Sequence, residues 1–409
     1  MNMHGNQPPA MSSPAVSLAG GSNQVRVRAY NERLVLSLVR QHGSLSKADI
    51  TRASGLSAQT VSVIMRALEK DGLLLRGEPV RGKVGQPSVP MSLNPEAVYS
   101  FGVKIGRRSA DVVLMDFIGG IRHRVRKTYA YPKPDEIISI IMSGMERLEG
   151  QMSADECTRI AGVGIAAPFE LWNWADEVGA PPGAMDAWRD FDLHAQVSER
   201  VRHPVYLQND ATSACGAELV FGVGPSYPDF VYFFIGSFIG GGIVLNSAVF
   251  SGRTGTAGAL GPLPVRGPNG ENRQLLDIAS IFVLEKLLLE RGIDPEPLWY
   301  SADEWVDFGE PMDIWIKDTG AALAQAIVAA ASVIDFGAAV IDGGFPAWVR
   351  ARIVAATVSA VERLDLQGVI IPDIIEGAVG AQARAIGGAS LPIFARYLTD
   401  QSVLFKELA

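Results

Sequence analysis

The spacing of apolar residues changes period about a quarter of the way along the chain, and that change divides it. Before residue 96 the period is mostly helical. Leu34, Val35 and Leu38 predict a helix over 28–42 with those three on its inward face, ended by Gly43. Ser46 is an N-cap residue with Asp49 three positions on, the spacing of a capping box, so a second helix starts there. Gly55 supplies a turn. Ser57 caps a third helix that runs to about Asp71, and Gly72 is a left-handed stop. Within that third helix Val61, Ile64 and Leu68 share one face. Gln59, Thr60, Ser62, Arg66 and Lys70 fall largely elsewhere. Two short helices around a tight turn, the second with a polar outer face, have the layout of a helix-turn-helix offered to the major groove. The alternative is an ordinary helical hairpin whose polar face is simply solvated. Leu73–Leu75 and Ser88–Leu93 read as strands flanking a Gly-rich basic tip with Arg81, Lys83 and Gln86, a β-hairpin wing able to press on a phosphate backbone or enter the minor groove. Asn94-Pro95 marks a boundary.

Beyond it the pattern is that of an α/β protein. Strands are predicted over 100–104 and 110–117, and 121–131 completes a meander. A helix follows over 134–148, then a buried strand over 160–166. Residues 205–207 form a strand running into Gln208-Asn209-Asp210, where a helix starts. The sequence then repeats the theme: strands over 230–235 and 243–245 about the Gly-rich Gly236–Gly242, helices over 273–292 and 311–334, a strand over 338–341, another near 368–371, and a final helix from Gly377. Meander, helix, strand and helix, twice over, imply two α/β lobes with a cleft between them.

Composition adds the size and the charge. A chain of 409 residues, 48% hydrophobic and 20% charged, has material for two or three domains with large cores. No apolar run is long enough to span a bilayer and no signal peptide is apparent. Cys157 and Cys215 form neither a disulfide framework nor a zinc site, so a cytoplasmic location is expected. The net charge of −8 disfavours nucleic acid taken whole, but the charge is segregated. Residues 24–95 hold eleven Lys/Arg against five Asp/Glu, and residues 1–23 hold neither sign. A basic module on an acidic body fits a DNA-binding domain attached to a receptor for a neutral ligand. The expected division is a disordered tail over 1–23, a winged helix-turn-helix over 24–95, and lobes over about 96–212 and 213–390, with the C-terminal helix returning to the first lobe.

Asn209 and Asp210, at a strand end beside a helix start, suit ligand hydroxyls, since a carboxylate accepts and an amide both donates and accepts. An N-cap role for the Asp is the alternative. Gly236–Gly242 could cradle phosphate through its N–H groups or simply turn a hairpin. The tryptophans of the 172–188 stretch could stack on a sugar or plug a core.

The chain from about residue 28 onward resembles the ROK family (repressors, open reading frames and sugar kinases), in its transcription-factor branch. The residues that carry the resemblance are Gly102-Val-Lys-Ile-Gly106, Gly162–Pro168, Asn209-Asp210-Ala211, Gly236–Val244, Gly255–Pro262 and Asp342-Gly-Gly344. It implies a winged helix-turn-helix followed by a two-lobed actin-like (ribonuclease H-like) sugar-kinase fold. It also implies departures from the kinases: Lys104 stands where they carry an Asp, Arg107-Arg108 replace Gly-Thr, Ala259 replaces the sugar-binding Glu, and Pro262 the zinc-binding His. The zinc loop has become Gly267–Arg273, with no cysteine. Neither phosphorylation nor a metal or other cofactor is therefore expected, while Asp210 remains at the catalytic position. The expected protein is a repressor of carbohydrate uptake or catabolism genes, a homodimer or homotetramer on a double-stranded DNA operator, with no membrane partner. Ser57, Gln59, Thr60, Ser62, Arg66, Arg81, Lys83 and Gln86 would meet DNA. Asn209, Asp210, Glu170, Trp188, Gly241 and Gly242 would meet a carbohydrate effector. The alternatives are a hexose kinase carrying a DNA-binding head, with Asp210 as base, and a regulator whose lobes bind only a protein partner.

Overall fold

The structure, a computed structural model, describes residues 23–79, 88–174 and 179–399. The head comprises α1 (Asn23–His42), β1 (Ser44–Ser46), α2 (Lys47–Ser54), α3 (Ala58–Lys70), β2 (Leu74–Arg76) and β3 (Pro90–Leu93). Its local signals work as read. The Ser46 hydroxyl accepts from Asp49 N–H while the Asp49 carboxylate accepts from Ser46 N–H, a complete capping box. Gly55 closes α2 at φ 69° and Gly72 follows α3 at φ 73°, both in the left-handed region that glycine tolerates. β3 lies between β1 and β2, antiparallel to both, so β2 and β3 are the wing's strands. The inward face of α1 differs from the expected one. Val35, Leu36 and Val39 are buried while Leu34 and Leu38 are only partly so, because α1 begins at Asn23 and packs on the lobes as well as on its own domain.

The first lobe has β4 (Tyr99–Ile105), β5 (Ser109–Asp116), β6 (Ile121–Thr128), α4 (Pro134–Glu149), α5 (Ala154–Thr158), β7 (Ile160–Ala167), α6 (Leu193–Ser198), β8 (Val205–Asn209) and α7 (Asp210–Phe221). The second has β9 (Phe230–Ile235), β10 (Ile239–Leu245), β11 (Ala248–Val249), β12 (Pro264–Arg266), β13 (Asn272–Gln274), α8 (Leu276–Ala279), α9 (Ile281–Glu290), α10 (Pro297–Tyr300), α11 (Glu310–Ala331), β14 (Ala338–Gly343), α12 (Ala347–Val361) and β15 (Asp373–Glu376). The closing helix is α13 (Ala383–Tyr397). The sheets run β6-β5-β4-β7-β8 and β11-β10-β9-β14-β15, the same strand order with the same antiparallel and parallel edges. This repeat is the two-lobed, sugar-kinase-like architecture.

Three readings of the later chain are corrected. The helix over 273–292 is broken at Ser280, whose hydroxyl accepts from Ile239 N–H and whose carbonyl accepts from the Trp315 indole, so β13, α8 and α9 occupy that span. The strand near 368–371 lies instead at Asp373–Glu376, since Gly368 turns at φ 83°, Ile370 is 80% exposed and Pro372 has no N–H for a ladder. The last helix starts at Ala383, not Gly377, after a 3₁₀ turn over Gly380–Gln382.

α13 crosses back to the first lobe and packs against β4, β7 and α7. β5 is buried on both faces. Val112 and Leu114 point toward α4, while Val113, Met115 and Phe117 join Ala385, Ala389 and Ile393 of α13. That second cluster also contains Val35, Val39, Val61, Ile64, Leu68 and Leu74 of the head. Head and first lobe therefore share one continuous core. No described helix is long and apolar enough to cross a membrane.

The approach of α13 to β7 leaves no room for a side chain: a Cβ at Gly164 would lie 1.9 Å from the Gly388 carbonyl oxygen. Gly164→Ala is expected to destabilise the protein by at least about 1–3 kcal/mol through overpacking, read as a lower urea midpoint. An unchanged midpoint would show that the helix can back away.

Candidate functional site

The head presents one exposed stripe. Gln59, Ser62, Val63 and Arg66 recur at i, i+3, i+4 and i+7 on the face of α3 opposite Val61, Ile64, Met65 and Leu68. Arg66 folds back so that its Nε donates to the Ser62 carbonyl at 3.1 Å. Val63, 49% exposed in the middle of a polar stripe, was missed in the sequence reading, although its spacing from Gln59 and Arg66 was visible. An exposed valine there can meet a thymine methyl. Ser57 and Thr60 are engaged at the helix start: Thr60 N–H donates to the Ser57 hydroxyl at 3.1 Å, and the two hydroxyls are 2.8 Å apart. Between α2, α3 and the wing runs a groove of about 590 Å³ lined by Lys47, Thr51, Ser62, Arg66 and Arg76. Arg76 is held by Glu69 through two bonds of 2.9 Å. Arg81, Lys83 and Gln86 lie outside the described residues.

Between the lobes is a cavity of about 240 Å³. Glu170, Asn209, Asp210 and Gly241 line it, together with Arg107, Arg384, Ala259 and Pro262. Asn209, not Asp210, is the N-cap of α7: its side-chain oxygen accepts from Ala211 N–H at 3.1 Å and Thr212 N–H at 3.2 Å. The Asp210 carboxylate accepts from Ala211 N–H through one oxygen and from Arg384 Nη1 through the other, both at 3.0 Å. The Arg384 guanidinium also lies 4.9 Å from the centre of the Phe234 ring. No spacing rule links residues 210 and 384, so only the fold reveals this pair. Glu170 accepts from the Asn173 amide at 2.9 Å at the cavity's edge.

Two expected effector residues are elsewhere. Trp188 is buried among Met185, Leu193 and Val197 in the first-lobe core, and its indole N–H donates to the Pro132 carbonyl at 2.9 Å; an aromatic loop residue here serves packing. Gly242 packs against α7, where a Cβ would lie 2.5 Å from that of Cys215, so its glycine is required by helix contact rather than by a ligand.

The turn between β4 and β5 carries charges that join the lobes. Arg107 and Arg108, in the β4–β5 turn, both pair with Glu285 of α9, Arg108 at 3.6 Å. Arg108 lies 4.8 Å from the Trp299 ring centre, and Arg126 donates to the Trp299 carbonyl at 2.7 Å. Beside them Lys104 is buried, with Nζ 3.1 Å from the Ser109 hydroxyl and 3.5 Å from Asp111. Burial pushes the Lys104 ammonium down to about 7, against the opposing pull of Asp111. Among the described residues no group of three or more His, Cys, Asp or Glu could hold a metal ion.

Comparison with known proteins agrees with this arrangement. Residues 100–274 match the ROK family and residues 28–74 a winged helix-turn-helix DNA-binding family. The xylose repressor of Bacillus subtilis is 25% identical over 244 residues, 60% of this chain and 62% of the repressor. The bifunctional enzyme NanE/NanK of Brucella melitensis is 32% identical over 232 residues, 54% of this chain and 40% of that enzyme. A crystal structure of a ROK family transcriptional regulator, described as a homologue of the Escherichia coli MLC protein, superposes with a TM-score of 0.64 at 20% identity, covering 93% of this chain and 98% of that one. The relatives thus include both regulators and enzymes, and the chain spans about three fifths of the repressor's length.

Lys104 gives a pH signature. Its pKa falls on folding, so between about pH 7 and its ordinary value of 10.5 the unfolded chain holds the extra proton. Stability contributed by this group rises with pH across that window, by up to about 1.4 kcal/mol per unit, and is flat below it. Urea unfolding of the parent and of Lys104→Met from pH 7 to 9 should show the rise in the parent and a smaller one in the variant. Parallel curves would mean that Lys104 stays charged throughout.

Proposed function

Because this chain carries a ROK-family domain behind an N-terminal winged helix-turn-helix, we propose that it is a sequence-specific DNA-binding regulator, a repressor of carbohydrate uptake or catabolism genes, governed by a sugar or sugar-derived effector held between its lobes. The observation that carries the reading is the stripe Gln59–Ser62–Val63–Arg66, exposed on a capped helix whose opposite face is fixed into the core shared with the lobes. Gln59 reads a base edge, Arg66 a base or phosphate, and Arg81, Lys83 and Gln86 of the wing grip the backbone or minor groove. The protein binds as a homodimer, or a pair of dimers, on a palindromic operator, since paired half-sites mirror two-fold symmetry. It works in the cytoplasm, where its DNA is.

In the inter-lobe cavity Asn209, Asp210 and Arg384 offer acceptors and donors to ligand hydroxyls. An effector that binds one lobe arrangement better than another shifts their populations and so the placement of the two heads. No turnover is proposed. A catalytic base must take a proton from the attacking hydroxyl, and the Asp210 carboxylate faces the Arg384 guanidinium at 3.0 Å rather than standing free for that role. Lys104 and the Arg107/Arg108 pair with Glu285 stand where the family resemblance puts magnesium and phosphate contacts. The kinase reading keeps one observation in its favour, an Asp at the end of β8 facing a cavity.

Arg66→Ala is expected to weaken operator binding by about 1–3 kcal/mol in a gel-shift titration, and Gln59→Ala to relax base preference at one position per half-site. Undiminished binding by both would remove α3 from the interface. In a thermal-shift screen one sugar or sugar phosphate should raise the melting temperature of the parent but not of Asp210→Ala. ADP release over the same sugars, abolished by Asp210→Asn, would establish the kinase instead.

A further inference from the structure

Two helices are exchanged between the sheets. α7 leaves β8 of the first sheet and joins the apolar cluster of the second, with Ala214 and Cys215 among Phe230, Tyr232 and Phe234. α13 leaves β15 of the second sheet and packs on the first. The helices meet at backbone distance, where a Cβ at Gly387 would lie 1.9 Å from the Ser213 carbonyl oxygen. α7 holds the entry to α13 at two points. At the first, the fully buried Glu218 carboxylate accepts from Ala378 N–H at 2.8 Å and from Val379 and Val223 N–H at 3.1 Å each. Asp342, at the end of β14, accepts from the next amide, Gly380 N–H, at 2.9 Å. The second point is the pair Asp210–Arg384, whose side chains are each 14% exposed and line the inter-lobe cavity.

The two points differ in how they can be undone. Breaking the Glu218 contact strands buried N–H groups together with a buried carboxylate, which is costly. Glu218 is not among the residues lining the cavity, so a ligand there cannot replace it. Asp210 and Arg384 do face the cavity, where ligand hydroxyl or anionic groups can take the place of either partner. The helix that starts here reaches the head. Arg384 and Ala385 are consecutive in its first turn, and Ala385, Ala389 and Ile393 lie in the cluster that contains Val35, Val39, Val61 and Leu68. Beyond the helix, Thr399 N–H donates to the Ser37 hydroxyl of α1 at 3.1 Å. From Arg384 to Ile393 the helix runs about 14 Å. Between them it is wedged at Gly387 and Gly388 against Ser213 and Gly164. A rod packed so closely passes a shift on rather than absorbing it.

We propose that α13 is the lever by which the inter-lobe cavity acts on the head, with Asp210–Arg384 as its releasable latch and the Glu218 grip as its fixed point. This rests on the reading of that cavity as the effector site. A ligand that bonds Asp210 or Arg384 better than they bond each other frees the first turn of α13. Glu218 still holds Ala378 and Val379, so the helix turns about that end instead of detaching. The displaced turn carries Ala385 with it and alters the apolar interior on which α1 and α3 sit. The coupling is as large as the ligand's difference in affinity for the latched and open arrangements, so a ligand indifferent to the pair leaves the head unchanged. Arg384 and Glu218 are thus positioning residues for the head, and neither needs to touch DNA.

The test is amide hydrogen exchange on the full chain, without ligand or DNA, in variants that imitate the open latch. Arg384→Gln should raise exchange at least about fivefold over residues 383–387 and over residues 35–39 and 61–68 of the head. Strands β9 and β14 and the amides of Ala378 and Val379 should keep their protection. Asp210→Asn, which opens the latch from the other side, should give the same pattern, and the double variant should do no more than either alone. Arg384→Lys, which keeps the cation, should stay near the parent. Glu218→Gln should instead expose Ala378 and Val379 and lower the melting temperature more than Arg384→Gln does. If Glu218→Gln does not fold, the latch variants decide. The proposal is overturned if head exchange in Arg384→Gln matches the parent, if it rises equally in β9 and β14, or if the two latch variants add. A parent chain that binds no DNA would end the regulator reading and leave these outcomes standing. A parent that binds DNA, with a head indifferent to Arg384→Gln, would end the lever alone.

Discussion

The approach of α13 to β4 and β7 is the constraint on which the other parts rest. The strands and the helix meet at backbone distance, with glycine on both sides at Gly164 and Gly388. Only at that distance can α13 lie between the first sheet and α7, and only from there do Ala385, Ala389 and Ile393 reach the cluster that contains the interior of the head. The first turn of the same helix places Arg384 against Asp210. One helix thus joins the head, the first lobe and the inter-lobe cavity. Small residues at its contact face are what make the junction rigid, since packed interiors deform little.

Two ion pairs beside the inter-lobe cavity differ in character. Arg107 and Glu285 are buried together, so their attraction is offset by the loss of hydration, and separating them without water would leave two costly charges. Such a contact contributes less to net stability than to the choice of one closed geometry over slightly different ones. The Arg384–Asp210 pair is partly open to the cavity, and a ligand with hydroxyls can exchange into it at lower cost. Arg107, Asp210 and Arg384 all line the same cavity, so both pairs border it.

The head was readable from the sequence because its signals are local. Ser46 with Asp49, Gly55, Ser57 and Gly72 each act within one turn of chain, and the structure shows each at its cap or stop. The doubled α/β pattern was readable for the same reason. What the sequence hid depends on distant partners. Trp188 and Gly242 were assigned to a ligand because tryptophan and glycine serve ligand sites and cores alike, and only burial beside Met185 or against Cys215 separates the two. Arg384 meets Asp210, and Glu285 meets Arg107, across separations that no periodicity reports.

The position of α13 in the chain also bears on the order of assembly. The residues that complete the interior of the head, Ala385, Ala389 and Ile393, leave the ribosome only after the whole of the second lobe has been made. Domains made first ordinarily fold first during synthesis. Here the earliest module keeps an open apolar flank until the latest helix arrives, so a growing chain cannot close the interior of its head before both lobes have been made.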